Sequence, residues 1–444
     1  MALLVLAVLL TRLPFLGAGY GLHADNWRIA LAARHISQTG VYEASRLPGY
    51  PVQEYVCSLF WRTGPWGLNF LDALFCAAAA VFFALICIEY GVADWWLAGI
   101  ALAFVPVLYV NSVSSKDFPW ALAFLLASWW CALRKRPVLT GVLLGLAMGS
   151  RITSGAAALP IALILIDGAD NRTALRRVAI AGSIAAAITL AAFTPVWMRY
   201  GWGFLNFYAD HAFPGPMEIA ARMTLEVWGV FGVAGLCVAL FAAPFAKSRP
   251  QVSQRQVFAW GSMLVIYAIA FFCLPDEAAY LIPAVPFVLL MLWRFAPRWA
   301  FQSCCALILV SPIVSLHGVR PAGGLVIEDH KARVFTDENI DRFLHFTTLV
   351  SGSNAYIVGS WEPNIDVVTA DAPRSDAKFL YLMTGPELDV LIAHGWRVWY
   401  LGDQMRAFDW RVNQVDVAVH GARDIRFLRA DKPDREARSP NSPP

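Results

Sequence analysis

Long apolar runs recur along this chain of 444 residues and restrict its fold more than any other feature. A helix that crosses a bilayer needs about 20 predominantly apolar residues. The runs of roughly that length are residues 2–18, 67–88, 93–111, 118–133, 176–197, 224–246, 256–274, 278–294 and 299–316. A longer run, 138–166, is interrupted at Gly149-Ser150-Arg151, which predicts two short segments that meet near Arg151. The pattern therefore predicts a mainly α-helical, polytopic membrane protein with about eleven transmembrane helices.

The composition supports a membrane protein. Charged residues make up 15% of the chain, whereas soluble domains contain about 25%. The first run lacks the basic start and the cleavage site of a signal peptide, so we expect it to remain as a membrane helix. No basic face or aromatic-basic motif indicates nucleic acid, which we exclude as a partner. The cysteines lie mostly in apolar runs and are typical of small buried side chains.

The basic residues between the runs predict which side of the membrane each loop faces. Lys and Arg concentrate in the connectors 134–136, 167–177, 247–255 and 294–298, and cytoplasmic loops carry such an excess. If these connectors are cytoplasmic, the other loops and the C-terminal part lie on the extracytoplasmic side, provided that 138–166 crosses twice.

The composition changes near residue 318. Residues 1–318 form the predicted transmembrane module, 319–430 a soluble domain, and 431–444 a charged, Pro- and Ser-rich tail that we expect to be disordered. Strand patterns alternate with a helix pattern in the soluble part, which predicts a small extracytoplasmic α/β domain. The strand patterns are Ala355–Val358, Lys378–Met383 and Arg397–Leu401, and the helix pattern is Pro386–Ala393.

The first outside loop, residues 19–66, is too polar to span a bilayer, although two membrane segments flank it. An amphipathic helix pattern starts at Asn26, and Gly49-Tyr50-Pro51 is a turn pattern. Asp25 lies at the start of that helix. As an N-cap it would accept hydrogen bonds from backbone N–H groups. As an accessible carboxylate at the membrane surface it would act as a general base, and the two roles are compatible.

Three charged residues near apolar runs are candidates for binding a lipid phosphate. Lys116 and Asp117 precede the run 118–133, where a lysine that reaches the interface and a helix cap would explain both. In the functional interpretation, Lys116 pairs with the phosphate and Asp117 holds the lysine. Arg151 interrupts an apolar hairpin, where a charge is costly and usually faces a cavity or a partner. A guanidinium there matches a phosphate, and a structural ion pair is the alternative.

Two further outside segments carry candidates for substrate contact. Asp210 and His211 lie in the loop NFYADHAFPGP; two ligands are a weak indication of a metal site, so substrate contact or a capped turn is favoured. Asp276 and Glu277 suit the first turn of a helix. Tyr280 follows them and fits either an interfacial aromatic residue or a contact with a lipid-linked substrate.

Several short motifs occur in a characteristic order. They are an apolar helix with Arg12 and Pro14, the acidic residue of the first outside loop, an Ala-rich helix, Gly40 with Tyr42, Pro48-Gly49-Tyr50-Pro51, GLAMGSR at Gly145–Arg151 with Pro160, and the segment YLIPAVP from Tyr280. This order resembles that of the integral-membrane GT-C glycosyltransferases over residues 2 to about 300. It is most similar to the bacterial branch that resembles dolichyl-phosphate-mannose protein mannosyltransferases and the aminoarabinose transferase of lipid A.

The resemblance implies a polyprenyl-phosphate-linked sugar donor, used with inversion on the extracytoplasmic face of a bacterial inner membrane. Asp25 would be the catalytic base, and Lys116 and Arg151 would contact the phosphate. The acceptor would be a lipid, a glycan or a protein, in contact with membrane lipids. No cofactor is implied, and a divalent metal remains open. Many members carry adjacent acidic residues in the first loop, whereas Asn26 follows Asp25 here, which leaves the acceptor class open.

Two other functions fit the same pattern. In a transporter or flippase of lipid-linked sugars, Arg151 and the broken segment would line a pathway, although broken helices do not recur in two halves. In a non-catalytic membrane assembly protein, the C-terminal domain would bind a partner. Movement of intact donor between leaflets would identify the flippase.

Overall fold

The computed structural model describes residues 1–205, 213–246, 252–317, 320–371, 373–381, 385–402, 405, 407–409, 415–420 and 424–429. Two compact units divide the chain. The membrane unit consists of Met1–Tyr20 and Ala32–His330, and the second unit of Gly21–Leu31 and Lys331–Pro444.

Helices make up most of the described residues up to 310. They are α1 (Ala2–Arg12), α2 (Ala24–Thr39), α3 (Pro51–Phe60), α4 (Gly64–Glu89), α5 (Trp95–Phe104), α6 (Pro106–Asn111), α7 (Phe118–Leu133), α8 (Pro137–Ser150), α9 (Ala158–Ile166), α10 (Asn171–Tyr200), α11 (Pro216–Ala221), α12 (Val227–Ala242), α13 (Gln254–Cys273), α14 (Val285–Phe295) and α15 (Arg298–Val310). Tighter 3-10 turns extend or join them at Leu13–Phe15, Trp61–Thr63, Ile152–Ala157, Gly201–Leu205, Ala243–Phe245 and Ala278–Ala284. A π-helical turn, Arg222–Glu226, leads into α12.

The apolar runs do form helices. Among the described residues, five helical segments are long and apolar enough to cross a membrane: Pro51–Glu89, Asn171–Phe204, Pro216–Phe245, Gln254–Cys273 and Ala278–Phe295. Shorter apolar helices are Ala2–Phe15, Trp95–Phe104, Phe118–Leu133, Pro137–Ser150, Ile152–Ile166 and Arg298–Val310. A mainly helical membrane protein is therefore confirmed, and the number of eleven crossings stays a prediction.

Two features of the helices were not predicted. The first outside loop contains α3, which starts directly after the Gly49-Tyr50 turn and leads through Trp61–Thr63 into α4. The run 93–111 is divided, because Val105 has an extended backbone (φ −58°, ψ 124°) between α5 and α6. Its neighbour Pro106 disfavours helical backbone at the preceding residue.

A stripe of glycines brings α8 and α10 together. A Cβ atom at Gly141 would lie 2.5 Å from the carbonyl oxygen of Ala181, and one at Gly145 would lie 2.7 Å from Cβ of Ile188. Glycine at every fourth position therefore allows the backbones to approach closely, as is common between membrane helices. Because α8 ends at Ser150, this packing also determines where Arg151 lies. Arg151 itself is extended (φ −159°, ψ 112°), so the predicted break in 138–166 is present.

Arg12 holds α1 against the segment that leads into the loop before α7. Its side chain is fully buried, Nε donates to Oγ of Ser112 at 3.3 Å, and the guanidinium lies 3.7 Å from the ring centre of Tyr109. It also donates to the carbonyl oxygen of Ala103. Buried charges with such partners are rare in apolar helices and mark a position that organises its surroundings.

The chain after residue 310 alternates strands and helices. In order they are β1 (Val314–His317), β2 (Arg320–Gly323), α16 (Leu325–Leu349), β3 (Asn354–Ile357), α17 (Glu362–Thr369), β4 (Ala377–Leu380), α18 (Gly385–Ala393), β5 (Arg397–Leu401), β6 (Ala407–Asp409), β7 (Val415–His420) and β8 (Asp424–Arg429). The pairs β1–β2 and β7–β8 are antiparallel.

The sheet of the second unit has the strand order β4-β3-β5-β6. Strand β3 runs parallel to β4 and β5, and β6 is antiparallel to β5. Ala355, Ile357, Val398 and Tyr400 alternate along the central strands and pack with Leu388 of α18. The predicted strands Ala355–Val358 and Arg397–Leu401 overlap β3 and β5, and the predicted helix Pro386–Ala393 overlaps α18. The predicted strand Lys378–Met383 overlaps β4, and its residues 382 and 383 lie outside the described ones. Helix α16 was not predicted. The predicted tail, 431–444, lies outside the described residues.

Candidate functional site

The membrane unit contains a buried carboxylate that binds two guanidinium groups. Asp117 directly precedes α7, and its side chain is fully buried. Its Oδ1 accepts a hydrogen bond from Nη2 of Arg46 at 2.7 Å, and its Oδ2 accepts one from Nη1 of Arg151 at 2.6 Å. These distances are typical of charge-assisted hydrogen bonds. Asp117 thus joins the first outside loop to the break between α8 and α9.

Aromatic rings surround both guanidinium groups. The Arg151 guanidinium carbon lies 4.1 Å from the ring centre of Phe118 and 4.9 Å from that of Tyr280. The guanidinium carbon of Arg46 lies 4.3 Å from the ring of Tyr50, and its Nε donates to that phenol oxygen at 3.0 Å. Within the described ranges, Asp117 is the single hydrogen-bond acceptor of the Arg151 side chain. Arginine has five N–H donors in a planar fork, so most of those of Arg151 remain for another anion.

A third cation belongs to the same loop as Asp117. Lys116 is buried, and its Nζ lies 3.2 Å from Oε1 of Glu277. Its backbone N–H donates to Oδ2 of Asp72 at 2.9 Å, and the Asp72 carboxylate also accepts from the indole of Trp120. An acidic side chain of α4 therefore anchors the loop that carries Lys116 and Asp117.

A second buried carboxylate, Glu54, binds the loop that carries Arg46. Its Oε1 accepts from the backbone N–H and from Oγ of Ser45 at 2.7 and 2.6 Å. Its Oε2 accepts from the backbone N–H of Tyr50 at 3.0 Å and from the phenol of Tyr42. Burial, followed by the charge of Glu54, raises the pKa of Tyr42 far above its usual value. The phenol therefore stays protonated and donates.

The structure brings together four of the predicted site residues: Lys116, Asp117, Arg151 and Tyr280. Asp117 does not hold the Lys116 side chain as expected. Lys116 pairs with Glu277, whereas Asp117 pairs with the two arginines. The structural ion pair considered for Arg151 is therefore present, next to donors that Asp117 does not use.

Asp25 belongs to the second unit. It lies in the first turn of α2, which begins at Ala24, and its side chain is 28% exposed. Oδ1 lies 3.1 Å from Nη1 of Arg28, one turn along the helix. The carboxylate is thus paired within its own helix and accessible to solvent, in a position where the helix dipole favours negative charge.

Asp210 and His211 lie outside the described residues. Among the residues that are described, no group of three or more His, Cys, Asp or Glu side chains is arranged to hold a metal ion.

Sequence reasoning missed Arg46, Glu54 and Asp72. Asp72 carried a usable signal, because an acidic residue inside a long apolar run usually has a specific partner. Arg46 and Glu54 lie in a polar segment, where charged residues are normally solvated. Nothing in their local pattern distinguishes them from such residues.

Comparison with known proteins identifies the fold. No family model and no curated protein matches the sequence. The structure is similar to the crystal structure of ArnT from Cupriavidus metallidurans bound to undecaprenyl phosphate, with a TM-score of 0.58 and 13% identity over 96% of this chain and 97% of that chain. The chain has the GT-C fold. The resemblance inferred from the motif order is confirmed at the level of the fold.

Two further similarities are weaker. The apo state of the same ArnT has a TM-score of 0.46 with 12% identity and covers 96% of both chains. The Archaeoglobus fulgidus oligosaccharyltransferase, tethered with an acceptor peptide, has a TM-score of 0.42 with 13% identity over 85% of this chain and 63% of that chain. At these TM-scores the similarities support no further conclusion.

Proposed function

We propose that this protein is a membrane glycosyltransferase that takes a sugar from a polyprenyl-phosphate-linked donor on the extracytoplasmic face of a bacterial inner membrane. The observation that carries the proposal is the pair Arg46 and Arg151, two guanidinium groups that share one buried carboxylate in a chain with the fold of ArnT. That ArnT was crystallised with undecaprenyl phosphate, a ligand whose head group would need such cations.

The arginine pair suits a phosphate that is attached to an apolar chain. A planar guanidinium can bind two phosphate oxygens at once, and the rings of Phe118 and Tyr280 beside Arg151 supply apolar surface. When the bond between the sugar and the phosphate breaks, the phosphate leaves with the electron pair and gains negative charge. Fixed cations stabilise that charge as it develops. Lys116, with Glu277 as its partner, would complete the phosphate site.

Asp25 is the proposed general base. A hydroxyl or amine of the acceptor attacks the anomeric carbon, the carboxylate of Asp25 takes its proton, and polyprenyl phosphate leaves from the opposite face with inversion. The partial exposure of Asp25 supports this role, because a base must be reachable by the acceptor. Asp210 and His211 remain proposed substrate contacts. The acceptor would be a lipid, a glycan or a protein.

The decisive experiment replaces Asp25 by asparagine in protein reconstituted into nanodiscs. Undecaprenyl-phosphate-linked sugars are supplied with envelope lipids as acceptors, and released undecaprenyl phosphate is measured by mass spectrometry. Asp25→Asn should reduce transfer about a hundredfold or more, since a general base typically contributes that much. Affinity for undecaprenyl phosphate should not change.

Glu338→Gln is the matched control. Glu338 is also a helical acid of the second unit, paired with Arg342 at 3.1 Å and exposed, and its replacement should leave transfer unchanged. Undiminished transfer by Asp25→Asn would eliminate Asp25 as the base. If intact donor moves between leaflets without release of undecaprenyl phosphate, the protein is a flippase and the proposal of a glycosyltransferase is wrong.

A further inference from the structure

Glu54 is a fully buried carboxylate whose acceptor positions are all occupied. Two hydrogen bonds come from Ser45, one from the backbone of Tyr50 and one from the phenol of Tyr42. An ionised carboxylate has about four lone-pair positions, so this set of donors fits the anion. Within the described part of the chain, no Lys or Arg side chain bonds to Glu54. A buried anion held only by neutral groups is costly. We therefore expect this carboxylate to do more than hold the loop from Tyr42 to Tyr50.

The four bonds of Glu54 end on both sides of Arg46. Ser45 is the preceding residue, and a turn hydrogen bond joins the N–H of Gly49 to the carbonyl oxygen of Arg46 at 2.8 Å. Tyr50, whose backbone is held by Glu54, in turn accepts from Nε of Arg46 and lies against its guanidinium. Nη2 of the same side chain donates to Oδ1 of Asp117 at 2.7 Å. Glu54 therefore fixes the backbone before Arg46 and the ring beneath it.

The helix of Glu54 also contacts α8, the helix that ends directly before Arg151. A Cβ atom at Gly149 would lie 2.6 Å from Cγ2 of Val52, so α3 and the end of α8 approach closely. Both guanidinium groups are thus positioned relative to α3, Arg46 through the bonds of Glu54 and Arg151 through the contact at Gly149.

We infer that Glu54 is a positioning residue, which holds Arg46 where its guanidinium meets the phosphate of the lipid-linked donor. The inference rests on the proposed function and adds a residue that touches neither the donor nor the acceptor. Glu54→Gln keeps one oxygen for Ser45. The new amide NH₂ faces the N–H of Tyr50, and two donors cannot bond to each other. The hydrogen bond that holds the backbone of Tyr50, whose ring lies against Arg46, is therefore lost.

The test is a double-mutant cycle of Arg46→Gln and Glu54→Gln in nanodiscs. Affinity is measured for undecaprenyl phosphate and for undecaprenol, the same lipid without its phosphate. Each single change should weaken phosphate binding by about tenfold or more, because a hydrogen bond to a charged group is lost. Binding of undecaprenol should not change. The double variant should bind undecaprenyl phosphate no more weakly than Arg46→Gln alone, since Glu54 acts through Arg46.

Two more variants keep the result interpretable. Tyr42→Phe removes one of the four bonds to Glu54 and should give a smaller loss that also disappears in the Arg46→Gln background, even if Glu54→Gln does not fold. Asp94→Asn removes a carboxylate that accepts from Arg298 and Gln302 elsewhere in the membrane unit, and it should not change phosphate affinity.

Additive losses from Arg46→Gln and Glu54→Gln would overturn the inference. Equal losses for undecaprenol and undecaprenyl phosphate, or wild-type affinity of Glu54→Gln, would do the same. If wild-type protein itself does not prefer undecaprenyl phosphate over undecaprenol, the proposed function fails instead, which is a separate outcome.

Discussion

Replacing Asp117 by asparagine tests whether this carboxylate holds the two guanidinium groups that are proposed to bind the phosphate. The side chain is fully buried and pairs with Arg46 and Arg151 at 2.7 and 2.6 Å. Asparagine has nearly the same size but can accept from only one arginine, and its NH₂ group faces the donors of the other. The buried cation Arg151 and the partly buried cation Arg46 then lie side by side without an anion between them.

The expected loss of stability follows from that geometry. Breaking a buried ion pair by removing one partner costs about 3–5 kcal/mol, and Asp117→Asn leaves two cations without their anion. Arg151→Gln is milder, because Asp117 keeps Arg46, and losing one hydrogen bond to a charged group costs about 1.5–3 kcal/mol. We therefore expect Asp117→Asn to have the lower Tm of the two.

Asp117→Asn, the less stable of the two variants, should gain more stability from undecaprenyl phosphate. In Asp117→Asn a phosphate can replace the missing anion, so undecaprenyl phosphate should raise its Tm more than that of the wild type. At a lipid concentration of 100 times Kd the gain is about 2.7 kcal/mol. The affinity of Arg151→Gln for undecaprenyl phosphate should be about tenfold lower or more, because a hydrogen bond between the guanidinium and the phosphate is lost.

The assay is thermal unfolding in nanodiscs without lipid ligand, with undecaprenol and with undecaprenyl phosphate. A wild-type Tm for Asp117→Asn would refute the assigned ion pairs. Equal rescue by undecaprenol and undecaprenyl phosphate would refute the idea that the phosphate binds to these guanidinium groups.

Three further predictions concern packing, ionisation and orientation. Gly145→Ala should destabilise the protein by about 1–3 kcal/mol, because the new Cβ would lie 2.7 Å from Cβ of Ile188. The control is Gly182→Ala in α10, where a Cβ would have nothing within 4 Å. It should be neutral or slightly stabilising in the same thermal unfolding assay. Burial raises the pKa of Tyr42. The stabilising contribution of Tyr42 is therefore complete below the pKa of an unfolded tyrosine, about 10, and decreases as the pH rises above that value. Tyr42→Phe should flatten the alkaline decrease in Tm, and an unchanged pH profile would contradict the burial of Tyr42. A reporter at the C-terminus should report an extracytoplasmic location, and a cytoplasmic signal would reverse the predicted topology.

The local sequence was sufficient for most of the apolar helices and for the break at Arg151. The run 118–133 coincides with α7, and α8 ends at Ser150, within the predicted interruption Gly149-Ser150-Arg151. Partition of side chains between lipid and water is summed over neighbouring residues, so an apolar run or a charge within it can be recognised without tertiary information. The same principle, applied to Asp72 in α4, would have predicted that this acidic residue is buried and has a specific partner.

Only the tertiary structure decided which charges meet. Arg46, Asp117 and Arg151 come from three separate segments, and no local pattern relates them. Glu54 accepts hydrogen bonds from Ser45 and Tyr50 on either side of Arg46, although by sequence it resembles a solvated acid of a polar segment. Their meeting depends on the approach of α8 to α10 and to α3, and that approach depends on glycines whose importance lies in the atoms opposite them. Charge pairing in a buried site is decided by distances of a few ångströms across the fold, whereas sequence records only distance along the chain.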